Sequence, residues 1–375
     1  HKAGVGARAS LRVPTGGAFS LGWDETLSGR FDGARSQTLS FSQPLLKGAW
    51  ADIDSAAVRQ ARLQERGNIL AFRQTAADLV VSVVRAYRAL IGAVRQVEIA
   101  EASLQRAREQ LEATRALIRA GRVASREAGR SEAAVANREL SLVRARNGLE
   151  AAQFALLDIL ELDSRVRIRP LEALRVERKD AAFAPSYEAA LRNRADYLQT
   201  RLGVDIARIA LAVARNNLLP DLAVRFDWTR NDGGQTENVV RMDATVPLND
   251  RAPELAHLQA RNALRKAERS VVELREAIGI GVRRAVNDVE AGLRLTDLAR
   301  GARELAEANL AVERAKFGQG LSSTFEVAAS EDELVQAEQA EAAAIVSYLD
   351  ALTRLDRVSG RTLDGWGIRL EDGSP

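Results

Sequence analysis

The amino-acid sequence predicts a mainly α-helical fold in which long coiled-coil helices carry four β-strands. Two long stretches of the 375 residues contain no proline, between Pro44 and Pro170 and between Pro253 and Pro375, so each can form a very long helix. Apolar residues recur every seven positions in the first stretch, which is typical of coiled coils. The second half of the chain also repeats features of the first at a shift of 199 residues, which predicts two copies of one structural unit.

The four strands are predicted by segments in which apolar and polar side chains alternate. The apolar positions of these segments are Phe19, Leu21 and Trp23; Leu39 and Phe41; Leu222, Val224, Phe226 and Trp228; and Val240, Met242, Ala244 and Val246. Polar loops that contain glycine join the segments in pairs at residues 28–33 and 231–235. We therefore expect two β-hairpins.

Two heptad series in the first half predict a helical hairpin. The members are Val97, Leu104, Leu111 and Ile118 in one series and Val135, Leu142, Leu149 and Leu156 in the other. Between the two series, Gly121 suits the left-handed position that ends a helix, and we expect Ser125 to cap the next helix. Gly320 follows Gly121 by 199 residues, so a second hairpin of the same kind is predicted.

The predicted helix lengths indicate which of the remaining helices pack side by side. Residues 47–119 would span about 110 Å as one helix, which helices 125–161 and 188–218 together would match. Helix 254–317 has in helix 325–358 a partner of only about half its length, so we expect one more helix, with any signal peptide, to precede residue 1. The predicted regions are a first β-hairpin region 1–44, a first-repeat helical hairpin 45–161, an equatorial linker 162–187, a stacked helix 188–220, a second β-hairpin 221–247, a second-repeat helical hairpin 248–358 and a C-terminal tail 359–375.

Composition excludes several kinds of site. The chain has no cysteine and only two histidines, which leaves no disulfide, no thiolate zinc site and no histidine-rich metal site. The sequence contains no nucleophile–base pair and no phosphate-binding loop, so we expect no enzyme activity, no cofactor and no metal. The net charge is +3, and arginines alternate with acidic residues along the helices. This pattern indicates solvated helix faces, not a surface that binds nucleic acid.

The apolar faces of the predicted strands must be covered. In a membrane β-barrel these faces contact lipid, and the alternate polar side chains line a water-filled lumen: Arg225, Asp227, Arg241 and Asp243. In a soluble protein they would contact a second sheet, and the alternation alone does not decide between the two. The long coiled coils favour the barrel, because no sandwich explains four strands mounted on helices of about 100 Å.

Four strands cannot close a barrel, and open sheet edges are not tolerated in lipid. Several copies of the chain must therefore contribute strands to one barrel. Residues 5–13 also alternate, but an odd strand would place the chain ends on opposite sides of the membrane. We expect this segment to lie outside the barrel.

Four short motifs make the arrangement similar to the TolC-like family of outer-membrane efflux proteins. The motifs are the strand-to-helix junction 42–48 (SQPLLKG), residues 84–87 (VRAY), and the duplicated hairpin tips 118–121 (IRAG) and 317–320 (FGQG). The resemblance covers nearly the whole chain. It implies a homotrimer with a 12-stranded β-barrel in the outer membrane of a Gram-negative bacterium and a helical tunnel in the periplasm.

The resemblance also implies the partners and the function. The chain would be the passive outer-membrane duct of a tripartite efflux or type I secretion system, embedded in outer-membrane lipid. A periplasmic adaptor protein would join it to an inner-membrane pump of the RND or ABC type. The alternative is a soluble or surface coiled-coil scaffold without a pore, in which the strands form a small sheet.

The site residues follow from the family's tip positions. The hairpin tips would close the periplasmic end, with Glu127, Glu326 and Phe317 at the constriction. Ser322 and Ala329 stand where the family pattern has a basic and a second acidic residue, which puts a polar latch in doubt. The adaptor would dock at the exposed tips: Gly121, Arg122, Val123, Gly320, Leu321 and Ser322.

Each assignment has a purely structural alternative. Ser323 and Glu326 have the spacing of a helix capping box, and a glutamate in a first helical turn complements the helix dipole. The tip glycines, in turn, could simply end their helices.

Overall fold

The computed structural model describes residues 2–28, 34–172, 174–176, 178–246 and 250–370. Five antiparallel strands form one sheet in the order β1-β2-β3-β4-β5. The strands are β1 (Lys2–Arg12), β2 (Ala18–Ser28), β3 (Ala34–Pro44), β4 (Asp221–Asn231) and β5 (Thr236–Thr245). Residues 29–33 of the first predicted loop, and the predicted junction at Pro247, lie outside the described residues.

Helices make up most of the remaining chain. They are α1 (Ala51–Asp54), α2 (Ala56–Arg119), α3 (Arg126–Ile159), α4 (Phe183–Asn193), α5 (Ala195–Asn216), α6 (Ala252–Gln319), α7 (Thr324–Val358) and α8 (Thr362–Gly365). The long helices and both helical hairpins are confirmed. The predicted stacked helix is instead two helices, because the backbone of Arg194 is extended. Among the described residues, no helix is long and apolar enough to cross a membrane.

The first strand corrects the predicted strand count. Residues 5–13 were expected outside the barrel, but most of them lie in β1, which pairs with β2 from Lys2 opposite Ser28 to Arg12 opposite Ala18. The sheet therefore has five strands, not four. The prediction rested on where the chain ends would lie, whereas the short turn after Arg12 brings two alternating segments side by side.

The sheet has one apolar and one polar face. Phe19 lies opposite Phe41, and Phe41 lies opposite Phe226 on the next strand. The rings of Phe19 and Phe41 are 4.4 Å apart. Leu21 is 55% exposed and Val240 is 71% exposed on this same face. The described strands form a single sheet, so no second sheet covers the apolar face as a sandwich would require.

The chain forms two compact units. The first consists of His1–Ala71 and Asp196–Arg275 and contains the sheet. Within it, the buried side chain of Asn216 at the end of α5 holds the segment that follows β3. The Gly48 N–H donates to Asn216 Oδ1 at 2.7 Å, and Asn216 Nδ2 donates to the Leu46 carbonyl at 3.4 Å. These bonds fix the passage from strand to helix inside this unit.

The second unit consists of Phe72–Ala195 and Glu276–Pro375. Tyr348 of α7 is fully buried in it, and its hydroxyl accepts a hydrogen bond from the Lys179 N–H at 3.3 Å. A Cβ atom at Gly292 of α6 would lie 3.2 Å from the Cα of Tyr348. The glycine therefore lets α6 approach the backbone of α7, as small seam residues do in closely packed helices.

Candidate functional site

Both helical hairpins end in the same backbone turn. Gly121 has φ +69° and Gly320 has φ +78°, so both adopt the left-handed conformation predicted for them. The Arg122 N–H donates to the Leu117 carbonyl at 3.0 Å, and the Leu321 N–H donates to the Lys316 carbonyl at 2.9 Å. These six-to-one bonds define Schellman motifs at both tips, which confirms the internal repeat at atomic detail.

The second tip carries a complete capping box. The Glu326 N–H donates to Ser323 Oγ at 3.3 Å, and the Ser323 N–H donates to Glu326 Oε2 at 2.8 Å. The two residues thus satisfy two of the N–H groups that a helix start leaves without intrahelical partners. Glu326 is exposed, but one of its carboxylate oxygens is committed to α7.

The first tip lacks this cap. Ala124 occupies the position equivalent to Ser323, and Ala has no side-chain oxygen to offer. Ser125 already has a helical backbone and makes no side-chain capping bond, so the prediction that Ser125 caps α3 is wrong. Capping requires a non-helical, extended residue, which Ser125 is not.

Because it is not used as a cap, Glu127 contacts the other repeat. The Thr324 hydroxyl at the start of α7 donates a hydrogen bond to Glu127 Oε2. Arg130 lies 3.3 Å and Arg126 3.5 Å from Glu127 Oε1. The Glu127 side chain is only 13% exposed. The structure therefore makes Glu127 a link between the two hairpins of one protomer.

The carboxyl groups of both tips are held in their charged form. The Thr324 hydroxyl, followed by the charges of Arg130 and Arg126, lowers the pKa of Glu127 from 4.5. The Ser323 N–H, followed by the Ser322 hydroxyl, lowers the pKa of Glu326. Hydrogen bonds to a carboxylate favour ionisation, so both glutamates are negative at neutral pH.

Phe317 has a place different from the one the family position implies. Its side chain is 3% exposed and packs in a tip core with Leu310, Val327 and Leu334. Leu117 of the first repeat packs against this core. Within the protomer, Phe317 therefore supports the tip from inside and leaves the polar groups at the surface.

Apolar side chains are exposed beside the tip turns. Leu321 is 74% exposed and Phe325 is 71% exposed. Leu321 was predicted among the docking residues, together with exposed Gly121, Arg122 and Gly320 and the less exposed Val123 and Ser322. Phe325 was missed, although it directly precedes Glu326 in the sequence.

A buried ion network lies behind the tips. Arg106 of α2 donates to Glu331 of α7 and lies 3.4 Å from Glu338. Arg314 lies 3.3 Å from the second oxygen of Glu331, which is 5% exposed. In the first repeat, the equivalent pair is Arg115 with Glu132 on the surface, 3.0 Å apart. The same arginine–glutamate pair thus occurs in both repeats, on the surface in the first and at a buried glutamate in the second. In the second repeat, Arg106 is an additional partner of that glutamate.

The four predicted lumen residues share the polar face of the sheet. Arg225 lies opposite Arg241, and Ala223 opposite Asp243. Arg241 forms an ion pair with Asp227, whose strand neighbours on this face are Arg225 and Thr229. The structure therefore brings the four together on one surface of β4 and β5.

Replacing Ser323 with alanine should weaken the start of α7 by about 0.5–2 kcal/mol, because the Glu326 N–H loses its side-chain acceptor. Amide hydrogen exchange across residues 324–327 should accelerate about 2- to 30-fold. Ser125→Ala is the matched control and should leave exchange at the start of α3 unchanged. Equal effects of the two substitutions would contradict the difference between the tips.

Residues 7–160 match the family of outer membrane efflux proteins. The chain is 24% identical over 260 residues to the alkaline protease secretion protein AprF of Pseudomonas aeruginosa, an alignment that covers 64% of this chain and 51% of that protein. The chain thus spans about half the length of this curated relative.

Solved structures extend the likeness to nearly the whole chain. The outer membrane protein VceC of Vibrio cholerae superimposes with a TM-score of 0.74 at 15% identity, covering 96% of this chain and 86% of that one. The CmeC outer membrane channel of Campylobacter jejuni superimposes with a TM-score of 0.72 at 13% identity, covering 96% and 78%. The resemblance predicted from the sequence is confirmed: residues 7–160 match the outer membrane efflux protein family, and the chain has the fold of outer-membrane channels.

Proposed function

We propose that this chain forms the passive outer-membrane duct of a tripartite efflux or type I secretion system. The observation that carries the proposal is the sheet with one exposed apolar face and one polar face. Lipid covers the apolar face and water fills the lumen on the polar face, as in outer-membrane barrels. A soluble scaffold would leave Phe19, Leu21 and Val240 exposed to water.

The sheet edges require more than one copy of the chain. The described sheet ends at β1 and at β5, and neither edge is paired within the protomer. Unpaired backbone groups are too costly in lipid, so neighbouring copies close the wall. The family resemblance supports three copies, and the family match and the channel fold support an outer-membrane location.

The hairpin tips form the gate of the duct. Glu326 contributes an exposed carboxylate per protomer, and a ring of such carboxylates attracts cations while its members repel one another. Glu127 is paired with Arg126 and Arg130, so it acts at the gate as a link between the hairpins. The Thr324–Glu127 hydrogen bond ties the two hairpins and serves as the latch. Phe317 holds the tip core together and does not line the passage in this conformation.

The same tips are the docking site of the periplasmic partner protein. A periplasmic adaptor docks on the turns that contain Gly121 and Gly320, with Leu321 and Phe325 as its apolar contacts. The adaptor joins the duct to an inner-membrane pump of the RND or ABC type. The relative AprF, whose name refers to alkaline protease secretion, supports a type I secretion system, and the channel structures are compatible with efflux.

Conductance across a planar lipid bilayer tests the proposed function directly. The purified protein, assembled in detergent and added to one side, should insert and give discrete conductance steps. The protein should also need detergent for extraction from cell envelopes. A chain that is extracted in buffer and gives no steps under any salt condition would contradict the channel.

Thr324→Val should open the gate more often, because valine keeps the shape of threonine but cannot donate to Glu127. The open probability should rise roughly 2- to 10-fold, the effect of one lost hydrogen bond. Thr324→Ser retains the hydroxyl and is the matched control. An unchanged open probability in Thr324→Val would exclude this bond as the latch.

Lowering the pH should also raise the open probability of the channel. The pKa of Glu127 is lowered from 4.5 in the latched tip, so the latch is at full strength above pH 4.5 and is lost as the pH falls through the lowered value. Ser322 and Lys316 lower the pKa of Glu313 at the second tip, so other groups also titrate there. The difference between wild type and Thr324→Val isolates the contribution of Glu127.

The double variant Leu321→Ser, Phe325→Ser should weaken adaptor binding at least tenfold while the channel still conducts, because it removes both exposed apolar contacts. Binding to an adaptor that co-purifies with the wild-type protein would be measured by surface plasmon resonance. Leu298→Ser removes an apolar side chain of similar exposure, 70%, from α6, 21 residues before its end, and is the control. Equal affinity of the double variant and the control would exclude the tips as the docking surface.

A further inference from the structure

A cavity of about 410 Å³ lies between the two helical hairpins of the second unit, behind the tips. The first hairpin contributes α2 and α3 to its wall, and the second contributes α7 and Arg314 of α6. Small or apolar side chains form much of this wall: Ala107, Ala133, Ala134, Val327 and Ala328. Pockets that bind small molecules typically enclose about 300–1,000 Å³. The cavity is therefore large enough for a small organic molecule.

Two hydrogen-bond donors in this wall lack an acceptor. Nε2 of Gln110 and Nε of Arg314 are both buried, and neither has a hydrogen-bond partner among the residues that the structure describes. Leaving a buried donor without an acceptor is unfavourable. A molecule that brings an acceptor oxygen into the cavity would therefore gain a hydrogen bond that the protein alone leaves unmade.

The two donor side chains have space to turn toward such an acceptor. Gln110 and Arg314 also line a second cavity, of about 400 Å³, between α2 and the end of α6. They thus separate two cavities, and there is free space on both sides of them. Because the terminal torsion of a glutamine amide is broad, a small rotation lets Gln110 present an N–H to the larger cavity.

The charges of the wall are already paired. Each arginine that lines the cavity forms an ion pair with a carboxylate: Arg106 and Arg314 with Glu331, Arg138 with Asp332, and Arg130 with Glu127. Glu331 is 5% exposed, and the side chains of Arg106 and Arg138 are 19% and 17% exposed. A charged ligand would bring an additional charge into this partly buried site, where no partner is left for it, and that is costly. The cavity therefore favours an uncharged ligand.

We propose that this cavity binds a small uncharged organic molecule with an aromatic ring and a carbonyl oxygen, and that the bound molecule holds the two hairpins together. Gln110 donates to the carbonyl oxygen. The ring lies between Ala134 of α3 and Ala328 of α7, and Phe325, which is 71% exposed, provides an aromatic contact at the opening. Binding does not depend on the proposed channel, whereas the effect on the gate rests on it.

The bound molecule favours the closed tip. Thr324, whose hydroxyl donates to Glu127, is itself part of the cavity wall. Because both hairpins supply this wall, separating them would remove the ligand's contacts with one of the two. A ligand that binds the joined hairpins more tightly than the separated ones shifts the population toward the joined state. The ligand therefore lowers the open probability of the channel.

Water is the competing occupant, because water can also accept hydrogen bonds from the two donors. Titration of the detergent-assembled protein with 2-naphthamide, followed by saturation-transfer NMR, separates the two cases. Naphthamide should bind saturably, and the charged analogues 2-naphthoate and 2-naphthylmethylammonium should bind at least about tenfold more weakly. Absence of saturable naphthamide binding would mean a cavity that holds water only and would overturn the proposal. Equal or tighter binding of a charged analogue would overturn the ligand class.

Substitutions in the wall test where naphthamide binds. Ala134→Phe fills the cavity from α3 and should weaken binding at least about tenfold through a steric clash. Ala136→Phe is the matched control, because Ala136 is exposed on the same helix and does not line the cavity. Gln110→Leu has a side chain of similar size without an N–H and should weaken binding about 2- to 10-fold. Equal affinities of Ala134→Phe and Ala136→Phe would overturn the site, and unchanged affinity of Gln110→Leu would overturn its role as donor.

Conductance measurements separate failure of the site from failure of the channel. In planar bilayers, naphthamide should lower the open probability of the wild type and leave that of Ala134→Phe unchanged. A protein that binds naphthamide but never conducts refutes the channel and leaves the site standing. A conducting protein that does not bind naphthamide refutes the site alone. A conducting protein whose open probability does not change when naphthamide is bound refutes the closing effect.

Discussion

An apolar sheet face that no second sheet covers, among the strands that the structure describes, constrains this molecule more than any other feature. Phe19, Phe41 and Phe226 align across three strands, and the large side chains around them remain exposed. At about 25 cal/mol per Å², leaving such a surface in water is unfavourable, so it must meet lipid or protein. The polar side chains of the other face can remain in water. The proposed channel depends on this face meeting lipid.

The two hairpin tips have the same backbone turn but differ in the side chains that form hydrogen bonds after it. Both tips close with a glycine in the left-handed conformation, but only Ser323 can form a capping box, because Ala124 stands at its counterpart. Glu326 is consequently tied to its own helix, while Glu127 is available to Thr324 of the other repeat. The tip with a serine at this position has a capped helix, and the tip with an alanine has a glutamate that bonds the other hairpin.

The sequence allowed the helices, the tip turns and the capping box of α7 to be predicted, because each depends on residues close together in the chain. These local signals are the period of the apolar residues, the glycine at each turn, and the spacing of three residues between Ser323 and Glu326. The Arg106–Glu331 pair has no local signal, since the two residues are 225 positions apart. Phe317 was assigned by family position, whereas its burial depends on Val327 and Leu334 of the next helix. The pairing of β1 with β2 was not predicted, because the argument from the position of the chain ends does not consider the short turn that joins the two strands.

Quenching of tryptophan fluorescence by brominated lipid tests the central claim, that the apolar face contacts the bilayer. Trp23 and Trp228 are on that face, so the variant Trp50→Phe, Trp366→Phe keeps only these two of the four tryptophans. In proteoliposomes, bromine on the acyl chains should quench most of its emission, and aqueous acrylamide should quench little. Strong quenching by acrylamide with none by the brominated lipid would contradict the account.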